Sequence, residues 1–336
     1  MTRQKVLFSA LCLQLALVTG AVSFFSRPRP VTEAAAAQRD AWISFKGRQL
    51  EPNSGPLTLL YTQRILMPAL IASAVRITGM SWPQAFSLVR FLSILCTYYI
   101  FFICLSRYFS DFESLMGLLF LAATIPLTFN SWFEIPTDFP EIIIFSLGLM
   151  CVLEGRYWWL CLVILIGTFN RETACFLPLM LLFVEWKKRL SWLFLLRIAS
   201  AGFCWLIPVA FLRWWMGIGE RWLLYDSLSH NVPGLAKFFS NFNPYNNYLF
   251  YLYLFGVLWV TPPLFWNSQP PKLRRALLTV PIITFVYLFA GGFLDEPREI
   301  VPLYVLLTPA GLYALRGLFG KRDPTAENIT WTVIGQ

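Results

Sequence analysis

Residues 158–186 read WWLCLVILIGTFNRETACFLPLMLLFVEW. A run of ~18 or more apolar residues marks a membrane-crossing helix. This run is broken once, at Asn170-Arg171-Glu172-Thr173. Neighbouring helical residues point about 100° apart, so Arg171 and Glu172 cannot both reach the headgroups comfortably. They either neutralise each other in packing or line a water-filled cavity that holds an anionic group. The second reading is the more economical one for two unlike charges in the middle of such a run.

The rest of the chain resembles its surroundings. Of 336 residues, 57% are hydrophobic and 13% charged, with 31 Phe and 14 Trp. Soluble chains carry about 25% charged residues. Disorder, a coiled coil, a disulfide-stapled module and an ordinary cytosolic enzyme are excluded on that ground. The composition implies an all-α, polytopic transmembrane bundle, with about 9–11 membrane helices fitting the length. The net charge of +9 fits cytoplasmic loops rather than a nucleic-acid partner. Lys187-Lys188-Arg189, Lys272-Leu273-Arg274-Arg275 and Lys321-Arg322 all sit at edges of apolar segments. The seven cysteines lie inside apolar stretches without a CxxC spacing, and the one histidine, His230, has no HExxH around it. Those facts favour packing thiols and argue against a zinc site.

Apolar segments predict helices at 6–26, 65–78, 86–106, 114–129, 139–154, 158–169 with 173–186, 192–215, 246–266, 276–292 and 299–317. They form one transmembrane domain over 1–318, followed by a cytoplasmic tail at 319–336. Residues 1–26 are read as a retained first helix with a cytoplasmic N-terminus, although Ala21-Val22-Ser23 could serve a signal peptidase. Both termini are thus expected in the cytoplasm of a bacterial plasma or inner membrane. The first external loop spans 27–64. Pro28 and Pro30 stop helix one, and Thr32 with the alanine run after it starts a helix expected to lie on the membrane surface. The second long external loop, 217–245, is rich in aromatics, Asn and Gly. The sides of the middle segments do not close. Counting from either end puts 130–138 on opposite faces unless 158–186 is split or 65–78 fails to cross.

An ionisable side chain at membrane depth costs several kcal/mol unless paired or solvated, so each one is a candidate for function. Arg39-Asp40 lies in the first loop, where plain solvation is the simple alternative. Tyr61-Thr62-Gln63-Arg64 opens an apolar helix, where Arg64 could snorkel. Arg76 and Arg90 flank the next turn. Glu134, Asp138 and Glu141 crowd one helix entrance, where carboxylates also suit the helix dipole. Asp295-Glu296-Pro297-Arg298-Glu299 stands at the entrance to the last helix. Arginine grips phosphate through two parallel hydrogen bonds, and a nearby carboxylate can take a proton or orient a metal. Handling a phosphorylated lipid at the membrane surface needs that pairing, whereas a channel favours a ring of one sign.

The order of these features resembles the multi-spanning, polyprenyl-phosphate-sugar-dependent glycosyltransferases of the GT-C superfamily. The similarity runs over residues 1–180 and one short motif in the last helix. Asp40 occupies the place of the family's essential loop acid. Tyr61, Arg64 and Pro68 are similar to its Tyr/Arg-Pro pattern, Gly79, Trp82 and Arg90 to the turn that follows, and Asp138 to the acid at a later helix. The resemblance implies a donor sugar on a polyprenyl phosphate, transferred with inversion at the external face. It implies phosphate binding by Arg64, Arg171 and Arg298, and deprotonation of the acceptor by Asp40. Asp138 or Glu172 would order the acceptor or the arginines, and Glu141, Glu296, Glu299 and Tyr61 would line the acceptor cavity. The first loop has no DxD, so the cofactor stays open, a divalent cation being the candidate. Acceptor glycan, lipid or protein is undetermined. The alternatives are a lipid-linked glycan polymerase or ligase using Arg221, His230 and Lys237 of the second loop, a transporter or flippase of an anionic or lipid-linked solute, and a structural subunit whose charges merely pair. Trp158-Trp159 and Trp214-Trp215 read as interfacial belt residues.

Overall fold

The computed structural model describes residues 3–25, 31–47, 64–126, 137–186, 191–216, 232–234, 255–291 and 297–319. These are almost entirely helical, with no strand among them. In order, the main helices are α1 (Arg3–Phe25), α2 (Val31–Gly47), α3 (Leu66–Thr78), α4 (Trp82–Ser106), α5 (Asp111–Thr124), α6 (Asp138–Glu154), α7 (Tyr157–Asn170), α8 (Phe176–Val184), α9 (Trp192–Met216), α10 (Pro271–Gly291) and α11 (Tyr304–Phe319). Three stretches among the described residues are long and apolar enough to cross a membrane: Trp82–Ser106, Trp192–Met216 and Glu299–Leu318.

Local chemistry fixes the ends. Ser110 and Glu113 form a capping box at the start of α5: the Ser110 amide donates to Glu113 Oε2 at 2.8 Å, and the Glu113 amide to Ser110 Oγ at 3.4 Å. Gly79 and Gly155 end α3 and α6 at φ 70° and 73°, left-handed conformations that suit a residue without Cβ.

Side-chain pairs set the direction of each helix. Lys272 Nζ donates to the Leu153 carbonyl at 2.6 Å, Arg275 Nη1 to the Val184 carbonyl at 2.5 Å, and Arg107 pairs with Glu154 at 3.2 Å. The finish of α4, α6 and α8 and the start of α10 therefore share one end of the bundle. Glu113 and Arg316 pair there as well, joining the start of α5 to the finish of α11. We call this the basic end. At the other end, the Asn170 side-chain amide donates to the Thr137 carbonyl at 3.0 Å, so α7 climbs back to where α6 began. The rings of Phe176 and Tyr287 meet at 5.4 Å, bringing the start of α8 beside the upper part of α10. Residues 158–186 are thus a hairpin with Arg171 at its apex, one of the two arrangements that the counting of sides left open. The 17 residues of α6 separate the two ends by about 25 Å.

Close approach needs small residues. A Cβ on Gly148 of α6 would sit 2.5 Å from Leu177 Cδ2 of α8, and one on Gly167 of α7 would sit 2.7 Å from Ile144 Cγ2 of α6. The main core runs through α1 and α4 to α11. A second, smaller core joins Ala35 of α2, Met67 and Ile71 of α3, and Ala85, Phe86 and Val89 of α4. Trp205 of α9 donates to the Glu172 carbonyl, and ten residues further Trp215 donates to the Phe45 carbonyl of α2. The layer of α2, α3 and the first half of α4 therefore lies beyond the Arg171 end. The alanine run packs into that layer rather than serving only as a surface helix.

Two expected helices differ. The described part of 246–266 is a series of short turns, Gly256–Trp259, Thr261–Leu264 and Trp266–Ser268. Gly256 at φ 46° and the Pro262-Pro263 pair interrupt the hydrogen-bond ladder there. The last helix is preceded by a 3-10 stretch, Pro297–Leu303, with Pro302 inside it.

Candidate functional site

The polar break at 170–173 becomes the centre of a charged cluster. Arg171 adopts an extended backbone at φ −162° and ψ 142°, between the end of α7 and the 3-10 turn Glu172–Cys175. That break turns the guanidinium away from the helix surface and into the protein, where Arg171 is 1% exposed. Its Nη1 donates to Glu141 Oε2 at 2.7 Å and to Asp138 Oδ1 at 3.3 Å. Its Nη2 pairs with Glu299. Thr173 Oγ1 holds the second oxygen of Glu141. Asp138 and Glu141 are themselves 1% exposed, projecting from the first turn of α6.

A second pair adjoins the first. Arg64 Nη2 and Nε donate to Glu172 Oε1 and Oε2 at 2.8 and 3.3 Å, a two-point grip. The Glu172 carbonyl accepts from Trp205. Tyr287 stands close enough to Glu172, Glu299, Arg171 and Arg64 to feel their charges.

Two guanidinium groups thus meet four carboxylates drawn from the start of α3, the start of α6, the apex of the hairpin and the turn before α11. Burying such groups carries a large desolvation cost, which dense mutual pairing offsets. Pairing is not complete among the described residues. Arg64 Nη1, Arg171 Nε and Glu299 Oε2 are buried without a hydrogen-bond partner there.

The structure brings together Arg64, Asp138, Glu141, Arg171, Glu172 and Glu299 of the residues expected from sequence. It does not join Asp40 to them. Asp40 is half-exposed on α2 and bonded to its neighbour Arg39 at 3.2 Å. Tyr61 and Glu296 lie outside the described residues, as do Glu134, Arg221, His230, Lys237 and the side chain of Arg298. Arg90 is buried in α4, and Arg76 is exposed at the end of α3. Sequence reasoning missed Trp205 and Tyr287, which sit in plain apolar helices where neighbouring residues give no signal of a polar contact.

No group of three His, Cys, Asp or Glu side chains among the described residues is arranged to hold a metal ion. Asp138, Glu141 and Glu299, which would suit a divalent cation by type, all turn onto the guanidinium of Arg171. The arrangement does not fit a cation at that point.

Neither a protein-family model, nor a curated protein, nor a solved structure matches the chain.

Proposed function

We propose that the protein is a polytopic integral membrane glycosyltransferase that moves a sugar from a polyprenyl phosphate to an acceptor at the external face, in a cell-envelope pathway. The observation that carries this reading is the cluster: four separated segments deliver two arginines and four carboxylates to one end of an apolar bundle. Lys272, Arg274, Arg275, Arg107 and Arg156 gather at the opposite end. The positive-inside rule supports a cytoplasmic side for that end and an external side for the cluster.

The geometry redistributes the expected roles. Arg171 is held by three carboxylates and acts as the keystone that positions them. Arg64 keeps one buried N–H group available and is the phosphate ligand of choice. Asp40 is half-exposed, pairs with Arg39 and lies on α2, which packs against the helix that Arg64 introduces. In the proposed step the acceptor hydroxyl oxygen attacks the anomeric carbon and its proton passes to Asp40. The bond from that carbon to the phosphate oxygen breaks, and the leaving lipid phosphate stays on Arg64. Electrostatic stabilisation of the departing charge is the main contribution asked of the protein.

The test is formation of lipid-linked or glycan product in cells carrying Asp40→Asn or Arg64→Gln. Loss of product in both supports the assignment. Full activity in Asp40→Asn removes that residue from the mechanism.

The broken hairpin at Arg171 favours one second reading, a transporter or flippase of an anionic or lipid-linked solute, because interrupted helices with buried charges are used in that way. Movement of a labelled lipid-linked sugar across vesicles, without any change in its glycosyl bond, distinguishes it.

A further inference from the structure

One member of the Arg171 cluster is open where the others are closed. The side chains of Arg171, Asp138 and Glu141 are 1% exposed, that of Arg64 is 5% and that of Glu299 is 9%. The Glu172 side chain is 30% exposed. Of these six groups, it is the one that a ligand meets. Arg64 donates to both Glu172 oxygens, at 2.8 and 3.3 Å. A carboxylate has about four acceptor positions, so roughly two remain.

A tryptophan stands against the same residue. Trp205 Nε1 donates to the Glu172 carbonyl at 3.0 Å, which fixes the indole at the apex of the hairpin. Trp205 packs against the main core and is half-buried. Other tryptophans of the bundle use their faces on neighbouring rings. Trp215 packs on Phe45 and Phe211 with centroids 5.8 and 5.6 Å apart, and Trp259 on Phe255 and Phe285 at 5.3 and 6.0 Å. Among the described residues, Trp205 has no aromatic ring and no guanidinium against its face. A rigidly held indole without a ring partner thus adjoins the accessible carboxylate of the cluster.

We propose that Trp205 and Glu172 form the sugar subsite of this cluster. The C–H face of a sugar ring lies on the indole, and its hydroxyls donate to the Glu172 carboxylate. The phosphate bonded to that ring reaches Arg64 Nη1, which is buried without a partner among the described residues. Sites for small ligands combine aromatic contact area with a few placed polar groups in this way. The indole alone would take any apolar chain. The carboxylate beside it selects a ligand with hydroxyls, and the guanidinium selects one that also carries an anionic group. Trp205 is then a specificity-determining residue for the lipid-linked sugar. The inference rests on the reading of the cluster as a site for a lipid-linked sugar phosphate. It does not require glycosyl transfer, because a flippase would recognise the same ligand.

The probes are farnesyl phosphate and farnesyl phosphate carrying glucose, galactose, mannose or arabinose. Binding to the whole chain is measured by calorimetry in a detergent without a sugar headgroup, with melting temperature followed in parallel. At least one glycosylated probe is expected to bind about 2- to 10-fold more tightly than farnesyl phosphate, the scale of one aromatic contact. Trp205→Leu and Trp205→Phe both lose the indole N–H, so the two should melt alike, slightly below the wild type. Trp205→Phe keeps a ring and should keep most of the sugar preference. Trp205→Leu should lose that preference and still bind farnesyl phosphate as the wild type does. If Trp205 only anchors the hairpin, the two variants will be equally impaired towards every probe, and that result overturns the proposal. Equal binding of all five probes by the wild type overturns it too, and leaves the phosphate role of Arg64 intact if farnesyl phosphate binding is lost in Arg64→Gln. Sugar-dependent binding without product in cells has the reverse meaning: the transferase reading falls and the subsite stands.

Discussion

The two ends of the bundle are built from the same chemistry with opposite outcomes. At the Arg171 end, two guanidinium groups are sunk among four carboxylates and almost closed to solvent. At the basic end, Arg107 and Arg156 share one carboxylate with roughly half their surface in solvent. A buried pair must recover its desolvation through geometry, so every group in it depends on the others. An exposed pair contributes little and leaves its charges available to a ligand. The contrast separates a locked constellation, whose members depend on one another, from an open one, whose charges stay in contact with solvent.

Removing the keystone should do the most damage. Arg171→Met leaves Asp138, Glu141 and Glu299 buried without their common partner, a loss of about 3–5 kcal/mol. The variant should fail to accumulate in membranes, or melt far below the wild type in detergent. Near-normal melting would show that the cluster tolerates open charges and would erase the contrast. Gly148→Val attacks the packing beneath it. Its new side chain meets Leu177 at 2.5 Å or less, and overpacking of this kind costs about 1–3 kcal/mol. Thermal unfolding followed by tryptophan fluorescence reads the effect.

Arg64→Lys is a finer probe of the same end. Lysine keeps the charge and loses the two-point grip on Glu172, so the fold should persist while product formation falls about 10- to 100-fold, the scale of one lost charged hydrogen bond. Unchanged turnover would move the phosphate contact away from Arg64.

The smallest effect is expected at the basic end. The Arg316 guanidinium, aided by the Ser110 backbone and hydroxyl, holds the Glu113 carboxyl down at about 2, below the ordinary 4.5. A depressed carboxyl contributes stability that is fully present above pH 4.5 and fades as the pH falls towards 2. Melting temperature measured across that window should drop in the wild type and drop less in Glu113→Gln. Because the pair faces solvent, added salt should shrink the difference. A loss as steep as that of the Arg171 cluster would blur the two ends into one kind of interaction.

Much of the fold was legible along the chain. Helix positions at 66–78, 82–106, 138–154 and 192–216 agree with the apolar runs to within a few residues, because long apolar runs with few glycines and prolines let the backbone satisfy its own hydrogen bonds. The interruption at 170–173 was legible as well: charge inside such a run demands an explanation. The stretch 255–268 was not, since its composition is apolar and only the glycine and the proline pair reveal that no continuous ladder forms. The outer layer of α2, α3 and half of α4 was equally hidden, for no local pattern says that a long apolar helix extends beyond its neighbours.

Partner choice is where sequence ran out. Arg171 was conspicuous, yet its partners Asp138, Glu141 and Glu299 lie 33, 30 and 128 positions away. The chain by itself determined an all-helical, lipid-suited polymer with a handful of charges that have no orienting role. Those properties follow from transfer energies, which each residue carries with it. Tertiary structure alone decided that Arg171 is enclosed by carboxylates, that Arg64 keeps an N–H group free of partners among the described residues, and that Asp40 pairs with its neighbour Arg39. Those outcomes depend on which helix faces meet, and pairing energies exist only once distant segments have been packed together.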